Sequence, residues 1–357
     1  MLGGNGSLRT LTLTAVMMMQ IVFAYVERVN ARALDSLEPA EVQRRLAELQ
    51  HLRVHLRPAE MEDGSHGACA RSRVSLQVMD PIRFGISFAF ELTVIRPRDV
   101  SGPMPVIIIV PTIEGVTKVE QKLASNFCEM RVASIIADVN DNTEPKEYPA
   151  WGLEDQRNRL AVFALRTIID YARNHASFNP EKIGMMGSSL GGVIASFIAG
   201  TESERLAAVV TVVAGGNIPF ILSKSDNKHV ARIREARMKF AQMNSPEEYE
   251  NKLRETIRYD PMYFAFGGRR DRMLMVMSTG DSKVPSEVQL ELHRAFGKPA
   301  ESMFTVGHVG TIIGIAYMYF DTVGKFLREK MALPTFYRPF TPVPIPSEAF
   351  EELQCLI

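Results

Sequence analysis

The sequence predicts an α/β protein: a doubly wound, mainly parallel sheet with an inserted helical cap. Three observations predict it. PVIIIVP at residues 105–111 is an unbroken β-branched run, as found where a strand is covered on both faces. From there strand-like and helix-like segments alternate, which is the pattern of parallel strands joined by helical crossovers. One stretch, residues 217–268, lies between two strands and is far longer than a single crossover helix. It reads as a cap at the carboxyl edge of the sheet, where open α/β sheets bind ligands.

Taken in order, residues 11–24, LTLTAVMMMQIVFA, form an uncharged apolar run after Arg9, with Val22 and Ala24 at small-residue positions before a cleavage point. Residues 1–24 therefore read as a signal peptide that would send the protein to the periplasm or outside the cell. The alternative is an N-terminal packed or membrane-associated helix on a cytoplasmic protein. The run is shorter than the roughly 20 residues a spanning helix needs, and no integral membrane domain is expected after residue 24. Residues 25–70 read as an N-terminal helical extension. Its segment 38–56 is amphipathic, with Leu46, Leu49 and Leu52 at helical spacing, and EDGSHGACA (62–70) reads as a loop.

The catalytic domain is expected over 71–332. Residues 73–79 and 86–96 alternate as a strand pair should. After the strand at 105–111 come a helix at 118–130, a strand at 132–139, a long helix at 153–175 and a strand at 182–187. A helix in LGGVIASFIAG and strands at 206–216, 272–279 and 301–306 complete it. The tail, residues 333–357, carries Pro334, Pro339, Pro342, Pro344 and Pro346 and reads as an extended strap.

Composition narrows the function. With 46% hydrophobic and 23% charged residues the 357-residue chain can bury a large core, and 41 basic against 41 acidic residues give no net field to attract nucleic acid. Cys69, Cys128 and Cys355 allow at most one internal disulfide and lack metal-ligand spacing; Cys128, in a helical pattern, reads as a small buried apolar residue. Met185, Met186, Met273, Met275 and Met277 read as core. Asp138, Asp141 and Glu144 lie in DVNDNTEP, which is rich in turn formers, so they read as turn rather than as a metal site. No phosphate loop or dinucleotide fingerprint occurs, so no cofactor or metal is expected and the partner is a small molecule rather than nucleic acid.

The chemistry is carried by GMMGSSLGG (184–192). Gly187, Ser189 and Gly191 fit Gly-x-Ser-x-Gly between an apolar strand and a helix, the setting that exposes a serine hydroxyl on a tight turn; Ser188 falls at the variable position. A serine hydroxyl needs a base, and the base needs an orienting group. STGDSKVP places Asp281 after one strand and VGHVG places His308 after the next, at the same sheet edge as Ser189. The other histidines lie before the core, within helical patterns or in the cap. Phe220, Ile221, Leu222 and Met238 of the cap are candidates for lining the substrate pocket.

PVIIIVP, GMMGSSLGG, MVMSTGDSKVP and VGHVG resemble four landmark regions of the α/β-hydrolase superfamily over roughly residues 85–330. Within it the chain resembles the dienelactone-hydrolase-like and acetyl-esterase-like bacterial esterases, with Asp260-Pro261 ending the insertion. Dienelactone hydrolases proper use cysteine where this chain has Ser189. The resemblance implies an oxyanion hole from the backbone N–H groups of Leu190 and of Ile113, with Thr112 as an alternative. Relatives often carry His-Gly where this chain reads Pro111-Thr112-Ile113-Glu114-Gly115, and Glu114 is expected to point away or, alternatively, to contact a polar or cationic part of the substrate. The implied reaction is carboxylic ester hydrolysis through an acyl-enzyme. A peptidase, a thioesterase or an acyltransferase could use the same residues, although about 100 upstream residues are too few for an oligopeptidase propeller. A non-catalytic binding protein of this fold is the remaining alternative.

Overall fold

The computed structural model describes residues 59–66, 68–79, 87–139, 147–333 and 340–353. The segment 1–24 read as a signal peptide, the helix expected at 38–56, Asp141, Glu144 and Cys355 lie outside these residues. Nine strands form one sheet in the order β1-β2-β3-β5-β4-β6-β7-β8-β9. They are β1 (Ala59–His66), β2 (Cys69–Met79), β3 (Ser87–Pro97), β4 (Met104–Val110), β5 (Ala133–Ala137), β6 (Phe178–Ser188), β7 (Ala208–Val212), β8 (Met273–Ser278) and β9 (Ala300–Phe304). The pairs β1–β2, β2–β3 and β3–β5 are antiparallel and all later pairs parallel.

The burial follows from these residue types. In β2, Ser72, Val74 and Leu76 are buried while Arg73 is exposed, the period-two pattern of a strand with one solvated face. Ile107, Ile108 and Ile109 of β4 are all buried, as are all of β5, β7 and β8, because helices cover both faces there. Met185, Met186, Met273, Met275 and Met277 lie in this core.

The helices between strands are α1 (Lys118–Glu129), α2 (Leu153–Asn174) and α3 (Leu190–Thr201). Residues 217–268 fold as α4 (Ile218–Lys224), α5 (Lys228–Phe240), α6 (Pro246–Thr256) and two short 3-10 turns. Beyond them come α7 (Ser286–Ala295), α8 (Gly307–Tyr317) and α9 (Phe320–Lys330). The buried Asp260 carboxylate holds the two ends of the cap together: it accepts from the backbone N–H groups of Asn217 (3.0 Å), Ile218 (2.5 Å) and Met262 (3.0 Å). Burial raises its pKa above the ordinary value, against the pull of these three donors.

Three expectations are corrected. The segment EDGSH, read as loop, belongs to β1, whose pairing with β2 shifts register between Glu62 and Ser65. Its residues are poor strand formers, and pairing to a neighbour overrides that preference. Cys128 is not a free apolar residue, since its sulfur is bonded to Cys69, joining the last turn of α1 to the start of β2. The tail is extended only in part. Phe340 packs on Phe320 and the Val343 N–H donates to the Tyr317 carbonyl, but Ser347–Leu353 then forms a helix, α10, whose Glu352 accepts from the N–H of Lys118.

Candidate active site

Ser189 stands between β6 and α3 with φ 55° and ψ −123°, a left-handed backbone that costs a non-glycine residue about 1–3 kcal/mol. The neighbours make that turn possible. A Cβ on Gly187 would lie 2.1 Å from the carbonyl oxygen of Gly191, and one on Gly191 would lie 2.2 Å from the carbonyl oxygens of Val110 and Pro111. Only glycines let β6, α3 and the end of β4 approach this closely. The Ser189 N–H donates to the Val212 carbonyl of β7 (2.9 Å), which ties the turn into the sheet. Ser188 sits inside the strand, opposite Val212.

Asp281 follows β8 and His308 lies in the first turn of α8, after β9. His308 Nδ1 is 2.7 Å from Asp281 Oδ2, and His308 Nε2 is 2.9 Å from Ser189 Oγ. A carboxylate only accepts, so Nδ1 carries the proton and Nε2 is left to accept the serine hydroxyl hydrogen. All three side chains are buried. Such a chain can deprotonate the serine as it attacks and return the proton to a leaving group.

The acid is held by four donors. Oδ1 of Asp281 accepts from the N–H groups of Lys283 and Val284, both at 2.9 Å. Oδ2 accepts from His308 and from Gln289 Nε2 (2.9 Å). Gln289 is fully buried; its Nε2 also donates to the Val284 carbonyl (2.7 Å), and its Oε1 accepts from Ser278 N–H (3.1 Å) at the end of β8. The sequence reading passed over it. The available signal is that Gln289 lies on the buried face of α7 with Val288 and Leu292, an unusual place for an amide with nothing to bind.

Above the serine lies a cavity of about 160 Å³ whose wall is mostly apolar, with Leu190, Val193, Ile194, Ile218 and Ile233 contributing. Of the four cap candidates, Ile221 and Leu222 line it. Phe220 packs instead against the cluster of Ile221, Val284 and Val288, one layer back, and Met238 is not among the lining residues. Adjacent positions on a helix point about 100° apart, so one face cannot carry all of Phe220, Ile221 and Leu222. Ile113 lines the cavity together with Ser189 and Leu190, and Glu114 is exposed and is not part of the wall. Although Glu114 is exposed, its carboxyl is partly shielded from water by the surrounding chain, and that partial desolvation raises its pKa above the ordinary value.

The cap is pinned at two places that sequence reading did not anticipate. Arg237 of α5, fully buried, donates from Nε to the Pro149 carbonyl (2.9 Å), pairs with Glu154 of α2 (2.8 Å) and lies over the Trp151 ring. Lys283 pairs with Asp226 of the α4–α5 turn (2.7 Å). Burial alone would raise the Asp226 pKa, but hydrogen bonds from Lys283 and Ser282 and the lysine charge outweigh it and hold it below the ordinary value.

Against known proteins, a model of the prolyl oligopeptidase family matches residues 165–304, which include Ser189 and Asp281 but end before His308. The acetyl xylan esterase from Paenibacillus sp. R4 superposes with a TM-score of 0.63 at 14% identity, over 82% of this chain and 95% of that one. Acetyl xylan esterase 1 from Thermoanaerobacterium sp. JW/SL YS485 gives 0.55 at 16% identity, over 81% and 92%. This is the α/β-hydrolase fold. The chain is also similar to a Bradyrhizobium sp. protein described as a probable 2-oxo-3-(5-oxofuran-2-ylidene)propanoate lactonase, 24% identical over 161 residues. That match spans 43% of this chain and 62% of the relative's length. The α/β-hydrolase sheet here has the expected parallel half and a three-stranded antiparallel entry. Among the described residues no helix is long and apolar enough to cross a membrane.

Proposed function

We propose that the chain is a serine carboxylesterase with Ser189 as nucleophile, His308 as its base and Asp281 as the group that orients the histidine. The observation that carries this reading is the continuous hydrogen-bonded chain from Asp281 through His308 to Ser189 Oγ, opening on an apolar cavity. In the reaction, Ser189 Oγ attacks the ester carbonyl carbon as its proton passes to His308 Nε2. The carbonyl oxygen becomes an oxyanion stabilised by the N–H groups of Leu190 and Ile113. Leu190 is the first residue of α3, where N–H groups have no carbonyl partner within the helix, and the helix dipole adds to the stabilisation. The alkoxide leaves with the proton from Nε2, and water, deprotonated by the same nitrogen, then releases the acid from Ser189.

The cavity suits a short acyl group, because about 160 Å³ is well below the roughly 300–1,000 Å³ of pockets for drug-sized ligands. The two acetyl xylan esterases and the probable lactonase are named for ester and lactone hydrolysis, which favours ester over amide. The prolyl oligopeptidase match supports amide cleavage as a second reading. Parallel assays with p-nitrophenyl acetate, butyrate, octanoate and laurate and with peptide p-nitroanilides separate the two. Turnover of the anilides alone would overturn the esterase reading. A fluorophosphonate probe, expected to label Ser189, tests whether the fold is catalytic at all.

The same proposal includes export. The apolar run before Ala24 and the Cys69–Cys128 disulfide both fit an oxidising compartment. Intact mass of protein from its native host is expected to lack residues 1–24, and a mature chain retaining Met1 would refute it.

A further inference from the structure

Glu120 is a carboxylate in the core, 1% exposed, in the first turn of α1, and the proposed mechanism does not use it. Its Oε2 accepts from the Thr117 N–H (2.8 Å) and from the Thr117 hydroxyl (2.6 Å). The Glu120 carboxylate also accepts from the backbone N–H of Thr112. Thr112 and Thr117 are the two ends of one short loop. Inside that loop the Gly115 N–H donates to the Thr112 carbonyl (3.0 Å) and the Glu114 N–H to Thr112 Oγ1 (3.3 Å). Gly115 turns the chain at φ +76°, where a Cβ would lie 2.9 Å from Asp138 Oδ2. Ile113, at the crest of this turn, faces the cavity with Ser189 and Leu190.

One buried side chain therefore grips both ends of the turn that carries the second oxyanion donor. A helix cap alone needs only the Thr117 contacts, which form the reciprocal pair of a capping box. The link back to Thr112 is additional. It spans eight residues and attaches the turn to α1, which packs under β5 and α8.

We infer that Glu120 is a positioning residue for the oxyanion hole, holding the Thr112–Thr117 turn so that the Ile113 N–H is aimed at the developing oxyanion before substrate arrives. Transition-state stabilisation of this kind depends on donors fixed in advance, and outright loss of one donor costs about 10²–10³ in kcat. The inference rests on the esterase reading for its kinetic readout, but its structural part can be tested without it.

The test compares Glu120→Gln with Thr117→Val in the full chain, using p-nitrophenyl acetate. Glu120→Gln keeps the shape but places an NH2 where an acceptor is needed, so one of the N–H groups at the ends of the turn loses its partner. Thr117→Val removes the hydroxyl from the cap and leaves both backbone N–H contacts to Glu120. The expected result is a kcat lower by about 10- to 100-fold in Glu120→Gln, with KM within about threefold, and a kcat near wild type in Thr117→Val even though its helix cap is weakened. Equal kcat values in the two variants, or losses that follow Tm, would overturn the inference. Hydrogen exchange on the wild-type protein supplies the second measurement, should Glu120→Gln not fold or should the wild type neither hydrolyse esters nor react with the fluorophosphonate. The N–H groups of Thr112 and Thr117, the two that Glu120 holds, are expected to exchange as slowly as those of α1. Exchange faster than in α1 would refute the positioning role, whereas an unlabelled Ser189 would refute the esterase reading alone.

Discussion

Replacing Asp281 by Asn should disable the enzyme through the direction of one amide. Oδ1 of Asp281 takes two backbone N–H groups, from Lys283 and Val284, and Oδ2 takes His308 and Gln289. An asparagine has a single acceptor oxygen, and two orientations compete for it. With the oxygen toward Lys283 and Val284, the NH2 group faces His308 Nδ1 and donates to it. The imidazole is then forced to carry its proton on Nε2, where it cannot accept from Ser189. The reverse orientation restores the working tautomer but leaves two N–H groups, one buried and one part-buried, facing an NH2, at up to about 1–3 kcal/mol each. The first orientation loses one Gln289 contact, but Gln289 Nε2 keeps the Val284 carbonyl at 2.7 Å, which softens that loss. The balance is about 2–4 kcal/mol in favour of the inactive tautomer. At 1.36 kcal/mol per decade this is a fall in kcat of about 30- to 10³-fold. Steady-state hydrolysis of p-nitrophenyl acetate measures it, with thermal unfolding to confirm a folded protein. A folded Asp281→Asn variant within about threefold of wild-type kcat would show that Asp281 does not orient His308.

Ser189→Ala is expected to abolish ester turnover and fluorophosphonate labelling with little change in Tm, while Ser188→Ala keeps most activity; equal losses would remove Ser189 as nucleophile. Leu222→Ala should enlarge the cavity and raise the octanoate-to-acetate ratio of kcat/KM by roughly tenfold. Phe220→Ala, a layer further out, should lower Tm and shift that ratio far less, so a larger shift from Phe220 would reverse their order. Gly191→Ala places a Cβ 2.2 Å from two backbone oxygens and should cost at least about 3 kcal/mol in urea unfolding, whereas Gly152→Ala, with nothing within 4 Å, should be nearly neutral.

The parts of the site that could be read in advance are those written in local sequence. The turn at Ser189 requires glycine at 187 and 191 because backbones meet there, and that requirement appears as spacing within five residues. Asp281 and His308 each come within four residues of the end of a strand, so their arrival at one edge follows from a parallel sheet. Strand–helix alternation carried the rest of the fold from β4 onward. The antiparallel entry was only partly readable, since EDGSH has the composition of a loop and becomes β1 by pairing with β2.

Sequence by itself thus determined the fold class, the parallel core and the order in which Ser189, Asp281 and His308 reach one edge of the sheet. Tertiary structure alone decided what holds them. Gln289 reaches back eight residues to Asp281, Glu120 back to Thr112, Arg237 across 88 residues to Pro149, and Cys128 across 59 to Cys69. None of these partners recurs with a helical or strand period, and a polar side chain looks alike in sequence whether it meets solvent or a buried donor. Burial separates the two cases, because an unpaired polar group removed from water costs several kcal/mol. Which groups are buried together is settled only when the elements pack. The same holds for the cap, where composition offered Phe220, Ile221 and Leu222 alike. The turn of α4 relative to the core placed Ile221 and Leu222 on the cavity and Phe220 behind them.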